Sequence, residues 1–365
     1  MEKKPIIGLT PEELTAELEA LGQPKYRAKQ ILEWIYEKNV FSFANMLNLP
    51  VALRESLDEA YEVGLPEVVR VQGSGDTTRK FLFKLHDGRF VECVLIPANP
   101  ALYGRKSDRL TLCVSSQVGC AFDCKFCASG VAGFDRNLGV HEIVGQVLAA
   151  RKEAGQRIDN LVFMGMGEPL ANFPNLAKSL TVLNAPWGVG IGARHITVST
   201  SGVAPMIKKL ARLPMQIRLA ISLHGATDAV RSNIMPVNDR YPISELLDAL
   251  HDWQAVRKQK VTLEFILIEG INDAPEEARA LAGLARSIGA KVNLIPYNTV
   301  EGFDWTRPSE AVQDAFLKIL TEGAVVATIR REKGHDIDAA CGQLRLQEEG
   351  DSVRVGTKIT DRAES

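Results

Sequence analysis

The sequence predicts an α/β chain built around a parallel β/α barrel, preceded by a small helical module and a short antiparallel sheet. Three observations carry this prediction. Beyond residue 110, short β-rich segments alternate with helical stretches six times over; the first sixty or so residues carry helical periodicity; and a Val- and Phe-rich stretch between the two is broken by turn residues. Alternating strand and helix implies right-handed parallel crossovers, which either close into a complete or partial barrel or lie open as a doubly wound sheet.

The helical module begins with Thr10-Pro11-Glu12-Glu13, which has the capping-box spacing and a proline at the first helical position; Leu14, Leu18 and Leu21 then recur on one face. A second periodic run covers Lys25 to Lys38, with Ile31, Trp34 and Ile35 among its apolar residues, and a third starts after Pro50. From about Glu67 to Ile96 the β-rich segments are split by Gly73-Ser74-Gly75 and by Asp87-Gly88, a tight hairpin turn. The strands of the larger unit are expected at Leu110 to Val114, Asn160 to Phe163, His195 to Val198, Ile217 to Ile221, Val261 to Ile268 and Lys291 to Ile295. Helical stretches such as His141 to Ala154, Ile243 to Lys258 and Pro275 to Ile288 are expected to alternate with them, with a further strand-like run at Ala324 to Ile329. The chain thus divides into a helical domain (1–64), a small sheet (65–105), the barrel (106–345) and a polar tail (346–365).

Composition narrows the classes of function. The chain has 365 residues, of which 45% are hydrophobic and 24% charged, a globular balance with length enough for a sizeable core. No run approaches the roughly 18 apolar residues of a membrane span, and Met1-Glu-Lys-Lys-Pro lacks the apolar core of a signal peptide. A cytoplasmic protein with no membrane partner is expected, and there thiols stay reduced. The six cysteines (Cys93, Cys113, Cys120, Cys124, Cys127 and Cys341) therefore point to metal or catalytic work instead of a disulfide framework. A net charge of −2 argues against a globally basic nucleic-acid coat, though a local basic groove does not show in a sum.

Cys120-Ala-Phe-Asp-Cys124-Lys-Phe-Cys127 packs three cysteines into one short loop. Structural zinc takes four ligands, usually as two separated pairs. Three thiolates on one loop suit an iron-sulfur cluster with one iron left open to an exogenous chelate. Polar residues close several predicted strands: Gly165-Met-Gly167-Glu168-Pro follows Leu161-Val-Phe, Ser199 closes His195-Ile-Thr-Val-Ser, Ser222-Leu223-His224 closes the Ile217 strand, and Asn298 closes Lys291-Val-Asn-Leu-Ile-Pro-Tyr-Asn. In a parallel barrel such ends share one mouth, which favours the barrel over the doubly wound sheet. The Gly-x-Gly of residues 165–167 is not a dinucleotide fingerprint, because position 170 is Leu where that motif needs Gly.

The CxxxCxxC loop, with Phe126 before its last cysteine, resembles the radical S-adenosylmethionine superfamily. The resemblance implies a partial (β/α)6 barrel, a [4Fe-4S] cluster held by Cys120, Cys124 and Cys127, and S-adenosylmethionine on the open iron. It also implies cofactor contacts from Gly167, Glu168, Ser199, Ser222, Leu223, His224 and Asn298. Asp336-Ile-Asp-Ala-Ala-Cys341-Gly-Gln-Leu, Cys113-Val-Ser-Ser-Gln-Val-Gly-Cys120 and the helical module resemble a narrower family, the RNA adenine methyltransferases of the RlmN and Cfr type. That resemblance spans roughly residues 10 to 345 and implies two molecules of S-adenosylmethionine per turnover. The first methylates Cys341; the second yields the radical that takes hydrogen from the S-methyl group, which then adds to adenine. Glu92 matches the acid that removes the ring proton, and Cys113 the thiol that releases product, leaving a Cys113–Cys341 disulfide for an external reductant.

The implied partners are 23S rRNA, tRNA beside the anticodon, and an electron donor, with the chain acting as a monomer. The Val91-Glu92-Cys93-Val94-Leu95-Ile96-Pro97 segment and the helical module resemble the RlmN branch, which methylates adenine carbon 2; the Cfr branch, which methylates carbon 8, is the alternative. Lys25, Arg27, Lys29, Arg79, Lys80, Arg105, Lys106 and Arg109 are candidate phosphate contacts, and Cys93 is read as structural. Two rivals remain: an activase that installs a glycyl radical, which needs neither Cys113 nor Cys341, and a non-enzymatic cluster or zinc protein, which has no use for the polar strand ends.

Overall fold

The computed structural model describes residues 3–73, 78–98, 109–131, 133–298 and 304–329. A short strand β1 (Lys4–Pro5) precedes helix α1 (Pro11–Ala20), whose Thr10 and Glu13 form the reciprocal capping box expected from their spacing. Helix α2 (Tyr26–Leu32) runs on as a π-helical turn over Glu33–Glu37, and α3 (Val51–Ala60) leads into β2 (Tyr61–Glu62), which pairs in parallel with β1. Pairing the two ends of this module closes it on itself. Leu14, Leu18, Ile31, Ile35, Leu53 and Leu57 fill its interior, the apolar positions the helical period marks.

Strands β3 (Glu67–Gly73), β4 (Arg79–Lys84) and β5 (Phe90–Pro97) form an antiparallel meander, with Asp87-Gly88 at the β4–β5 turn. Gly88 has φ of +81°, as a tight hairpin requires. The meander continues into the main sheet: β5 pairs antiparallel with β6 (Leu110–Cys113). A two-stranded ribbon, β7 (Gln117–Gly119) with β8 (Phe134–Asn137), brackets the three-cysteine loop and the short helix α4 (Ala128–Val131).

Helix α5 (Val140–Ala154) leads to β9 (Asn160–Phe163), α6 (Phe173–Asn184) to β10 (Ile196–Thr200), and α7 (Ala204–Leu210) to β11 (Arg218–Ser222). Two short helices, α8 (Asp228–Ile234) and α9 (Val237–Arg240), precede α10 (Ile243–Arg257) and β12 (Thr262–Leu267). Helix α11 (Pro275–Ser287), β13 (Lys291–Pro296), α12 (Glu310–Glu322) and β14 (Ala327–Ile329) complete the described chain.

The ten-stranded sheet has the order β14-β13-β12-β11-β10-β9-β6-β5-β4-β3. From β6 through β9 to β14 every neighbouring pair is parallel and the order never reverses. A doubly wound sheet would reverse at a switch point, so the winding is that of a partial barrel. The run Ala324 to Ile329 adds a seventh parallel strand at Ala327–Ile329 beside the six expected.

Alternation along the strands decides what faces inward. Leu112, Val198, Leu219, Ile221, Leu263, Phe265 and Leu294 join the core between sheet and helices. Their alternates, Cys113, Ser199, Ala220, Ser222, Glu264 and Asn293, lie on the opposite, inner face. The inside of the barrel is therefore small and polar at the strand ends, where chemistry can be placed.

Candidate active site

A cavity of about 260 Å³ opens at the C-terminal ends of the parallel strands. Cys120, Cys124 and Cys127 line it from the loop after β7, Gly165, Gly167 and Glu168 from the loop after β9, Ser199, Thr200 and Ser201 from the end of β10, and Ser222 and His224 from the end of β11. Glu264, Ile295 and Met235 complete part of the wall. Among the described residues, these three are the cysteines that line it.

The cysteine loop is locked by short backbone bonds: Cys127 N–H donates to the Cys124 carbonyl at 3.0 Å and Gly130 N–H to the Cys127 carbonyl at 3.0 Å. Asp123 takes φ of +47° to turn the chain between the first two cysteines. Burial pushes the Cys120 thiol up to about 12 and raises Cys124 well above its ordinary value, with neighbouring Cys127 adding to both. Thiols so placed ionise when a metal takes them. The donor set fits a cubane cluster: three soft ligands in a space that no fourth described cysteine enters.

The loop after β9 passes very close to the neighbouring backbone. A Cβ on Gly165 would stand 2.7 Å from the Val114 carbonyl, and one on Gly167, with φ of +96°, would stand 2.5 Å from Gln117 Cβ. That close approach delivers Glu168 to the cavity. Its N–H donates to Gln117 Oε1 at 2.8 Å. Its carboxylate accepts from Ser201 N–H at 2.7 Å, Ser201 Oγ at 2.8 Å and Leu170 N–H at 2.9 Å. Burial pushes this carboxyl up, and the donors of Ser201 and Leu170 pull against it. A cation in the cavity would meet a buried carboxylate already fixed in orientation.

His224 is buried with φ of +56°, an uncommon backbone for a residue with a Cβ. Its Nδ1 accepts the Ile266 N–H at 3.0 Å, and its ring meets Phe126 edge-on at 4.6 Å between centroids. Burial drives its value down to about 3, helped by the Arg231 charge, so the ring is a neutral group beside the cysteine loop. Arg231 is itself fully buried and ties the rim together: its guanidinium donates to the carbonyls of Ser201 (2.5 Å), Leu223 (3.2 Å) and Tyr241 (3.3 Å) and to Asn238 Oδ1 (2.7 Å).

Other predicted residues take different places. Leu223 packs into the helix-side core and does not line the cavity. Asn298 follows β13 at the mouth, with its Oδ1 accepting from Arg307 at 2.6 Å, and it does not line the cavity. Cys113 is buried on the inner face of β6. Glu92 is no solvent-facing strand residue: it is buried and paired with Lys80. That pairing corrects the reading of Lys80 as a phosphate contact, since its ammonium lies inside the protein. Lys25 and Lys29 are exposed, each near an acid, Glu19 at 3.4 Å and Glu33 at 3.8 Å. Cys93 is buried on the helix side, its thiol 2.9 Å from Gln146 Oε1, as a structural role requires. Cys341, Arg105 and Lys106 lie outside the described residues.

Sequence reasoning missed Ser201, Glu264 and Arg231. The hydroxyl run Ser199-Thr-Ser201 and the polar–apolar alternation of Thr262 to Phe265 were signals for the first two; Arg231 carries none, because its partners come from three separate loops.

Residues 114–282 match the Radical SAM superfamily model. Residues 5–63 match the ribosomal RNA large subunit methyltransferase N-terminal domain. The cavity and these matches define a radical S-adenosylmethionine enzyme. A protein of Akkermansia muciniphila named "Probable dual-specificity RNA methyltransferase RlmN" is 55% identical over 344 residues, covering 94% of this chain and 96% of its own. A similarly named protein of Opitutus terrae is 50% identical, covering 95% and 96%. The crystal structure of a radical SAM methyltransferase from Sphaerobacter thermophilus superposes with a TM-score of 0.88 at 42% identity, covering 93% of this chain and 98% of that one. The chain belongs to the RlmN family of radical SAM RNA methyltransferases. Among the described residues no helix is long and apolar enough to cross a membrane.

Proposed function

We propose that this enzyme methylates carbon 2 of adenosine in 23S rRNA, at the peptidyl-transferase centre, and in tRNA beside the anticodon. The observation that carries the reading is the meeting of the cysteine loop with Glu168, Ser199, Ser222 and His224 on one cavity, with Cys113 on the same inner face of the sheet. Bound there, a [4Fe-4S] cluster and S-adenosylmethionine supply a 5′-deoxyadenosyl radical.

Cys120, Cys124 and Cys127 hold the cluster. Glu168, fixed by Ser201 and Leu170, receives the ammonium of the amino-acid end, whose charge offsets the burial of the carboxylate. Gly167, Ser199, Ser222 and His224, which line the cavity, supply the remaining cofactor contacts. Cys341 carries the methyl group, Glu92 accepts the ring proton from the covalent protein–RNA adduct, and Cys113 attacks the Cys341 sulfur to free the product. The resulting disulfide is opened by an external reductant before the next turnover. The adenine must leave its stack to reach this mouth, as base-modifying enzymes require.

Mass spectrometry of nucleosides from a strain lacking the protein tests the assignment. Loss of 2-methyladenosine from rRNA and tRNA, restored by the wild-type chain and not by Cys341→Ala, is expected. Loss of a carbon-8 methyl with carbon 2 intact would place the chemistry in the other branch of the family, and full rescue by Cys341→Ala would remove the methyl-carrier role.

A further inference from the structure

The Lys80 ammonium lies 2.8 Å from Glu92 Oε2, with the two side chains 0% and 2% exposed. In the β4–β5 ladder Lys80 pairs with Val94 and Leu82 with Glu92, so Lys80 and Glu92 are diagonal neighbours on one face. Val94 pairs in turn with Cys113, and Cys113 with Val162, which makes that face the inner one. Because β5 runs antiparallel to β6, Glu92 stands one row nearer the mouth than Cys113. Lys80 stands in the row of Cys113, directly behind the carboxylate.

Taking two charges out of water is costlier than filling the same space with apolar side chains. Packing alone therefore gives no reason for this pair. The backbone that carries Glu92 is held as well. Its carbonyl accepts from Ser115 Oγ at 2.7 Å, and the same hydroxyl accepts the Met166 N–H at 2.9 Å, which ties β5 to the loop bearing Glu168. The next residue, Cys93, is anchored on the helix side by Gln146. A carboxylate on a fixed backbone, with a buried ammonium behind it, is held in one orientation beside the resolving cysteine.

We infer that Lys80 is a positioning residue for proton removal: its ammonium aims and charge-balances the Glu92 carboxylate. This rests on the reading of Glu92 as the proton acceptor. In the step itself, the radical adduct first returns one electron to the oxidised iron-sulfur centre, and the C–H bond at carbon 2 of the resulting even-electron adduct then breaks. Its electron pair restores the aromatic ring, and the proton passes to the Glu92 carboxylate. Lys80 acts on the adenine only through the Glu92 carboxylate.

Lys80→Gln, Lys80→Met and Lys80→Arg are compared with Glu92→Gln and the wild type, as full-length reconstituted enzyme acting on an rRNA fragment. Four quantities are read: S-methylation of Cys341 by intact mass, 5′-deoxyadenosine formed, protein–RNA adduct on a denaturing gel, and 2-methyladenosine formed. Lys80→Gln and Lys80→Met are expected to keep the first two while the adduct persists and product forms about tenfold to a hundredfold more slowly, a loss typical of an impaired general base. Lys80→Arg, which keeps the charge, recovers turnover. With RNA deuterated at carbon 2, adduct decay in Lys80→Gln gains a primary isotope effect.

Resolution of the adduct at the wild-type rate in Lys80→Gln, while Glu92→Gln traps it, would overturn the inference and leave the base in place. Failure of Glu92→Gln to trap any adduct would overturn the reading of Glu92 itself. A parallel fall of all the readouts in every Lys80 variant, arginine included, would assign the residue to packing and likewise overturn the inference.

Discussion

Acidification should destabilise this protein in large part through the buried His224. The His224 ring is buried, its Nδ1 is committed to accepting the Ile266 N–H, and Arg231 lies nearby, so protonation is resisted down to about 3 against an ordinary value of 6.5. A histidine whose folded value is depressed contributes stability that is complete above 6.5 and is lost as pH falls towards the folded value. Roughly pH 5 lies about 1.5 below that ordinary value, and at about 1.4 kcal/mol per pH unit the loss there is about 2 kcal/mol. The raised Glu168 carboxyl acts in the opposite sense on acidification, so a difference measurement is needed. His224→Asn provides it, because asparagine tolerates the left-handed backbone and keeps a short acceptor. Anaerobic urea unfolding at about pH 7.5, 6 and 5 is the assay. The wild-type midpoint should fall with acid by about 2 kcal/mol more than that of the variant. Parallel curves for the two proteins would refute the argument that this ring is held neutral by the fold.

Two further outcomes follow from the geometry of the rim. Arg231→Met leaves the carbonyls of Ser201 and Tyr241 and the Asn238 Oδ1 without the guanidinium donor, while the Leu223 carbonyl keeps the Gly225 N–H. About 1–3 kcal/mol of stability should be lost for each acceptor left unsatisfied, read as a lower thermal midpoint, with Lys at the position restoring only part of it. Gly167→Ala forces a Cβ into Gln117 at a φ that costs about 1–2 kcal/mol, displacing Glu168. Equilibrium binding of S-adenosylmethionine should weaken sharply while iron content stays at the wild-type level, since the cysteine loop is untouched.

Much of this architecture is legible in the sequence because local signals and global fold agree. The Thr10–Glu13 capping box, the Asp87-Gly88 turn and the period-two strands each name one local structure, and each forms. The strand β9 matches its expected bounds at Asn160–Phe163, since polar Asn160 and the Gly165 turn delimit it sharply. The cysteine spacing is equally informative, because three ligands on one loop need no tertiary contact to be brought together. What the sequence hides is whatever depends on register between distant segments. Lys80 reads as a surface cation beside Arg79, and only the β4–β5 pairing turns it inward to meet Glu92. Arg231 is hidden for a similar reason: it acquires its role from segments that meet only in the folded barrel.

The central claim is that a methyl group passes through a protein sulfur as a methylene unit to carbon 2 of adenine. Anaerobic turnover with S-adenosylmethionine deuterated in its methyl group, followed by mass spectrometry of the RNA nucleosides, tests it directly. The account predicts 2-methyladenosine whose methyl carries one deuterium fewer than the donor, with the missing deuterium found in 5′-deoxyadenosine. A methyl group transferred with all its deuterium, or one appearing at carbon 8, would contradict it.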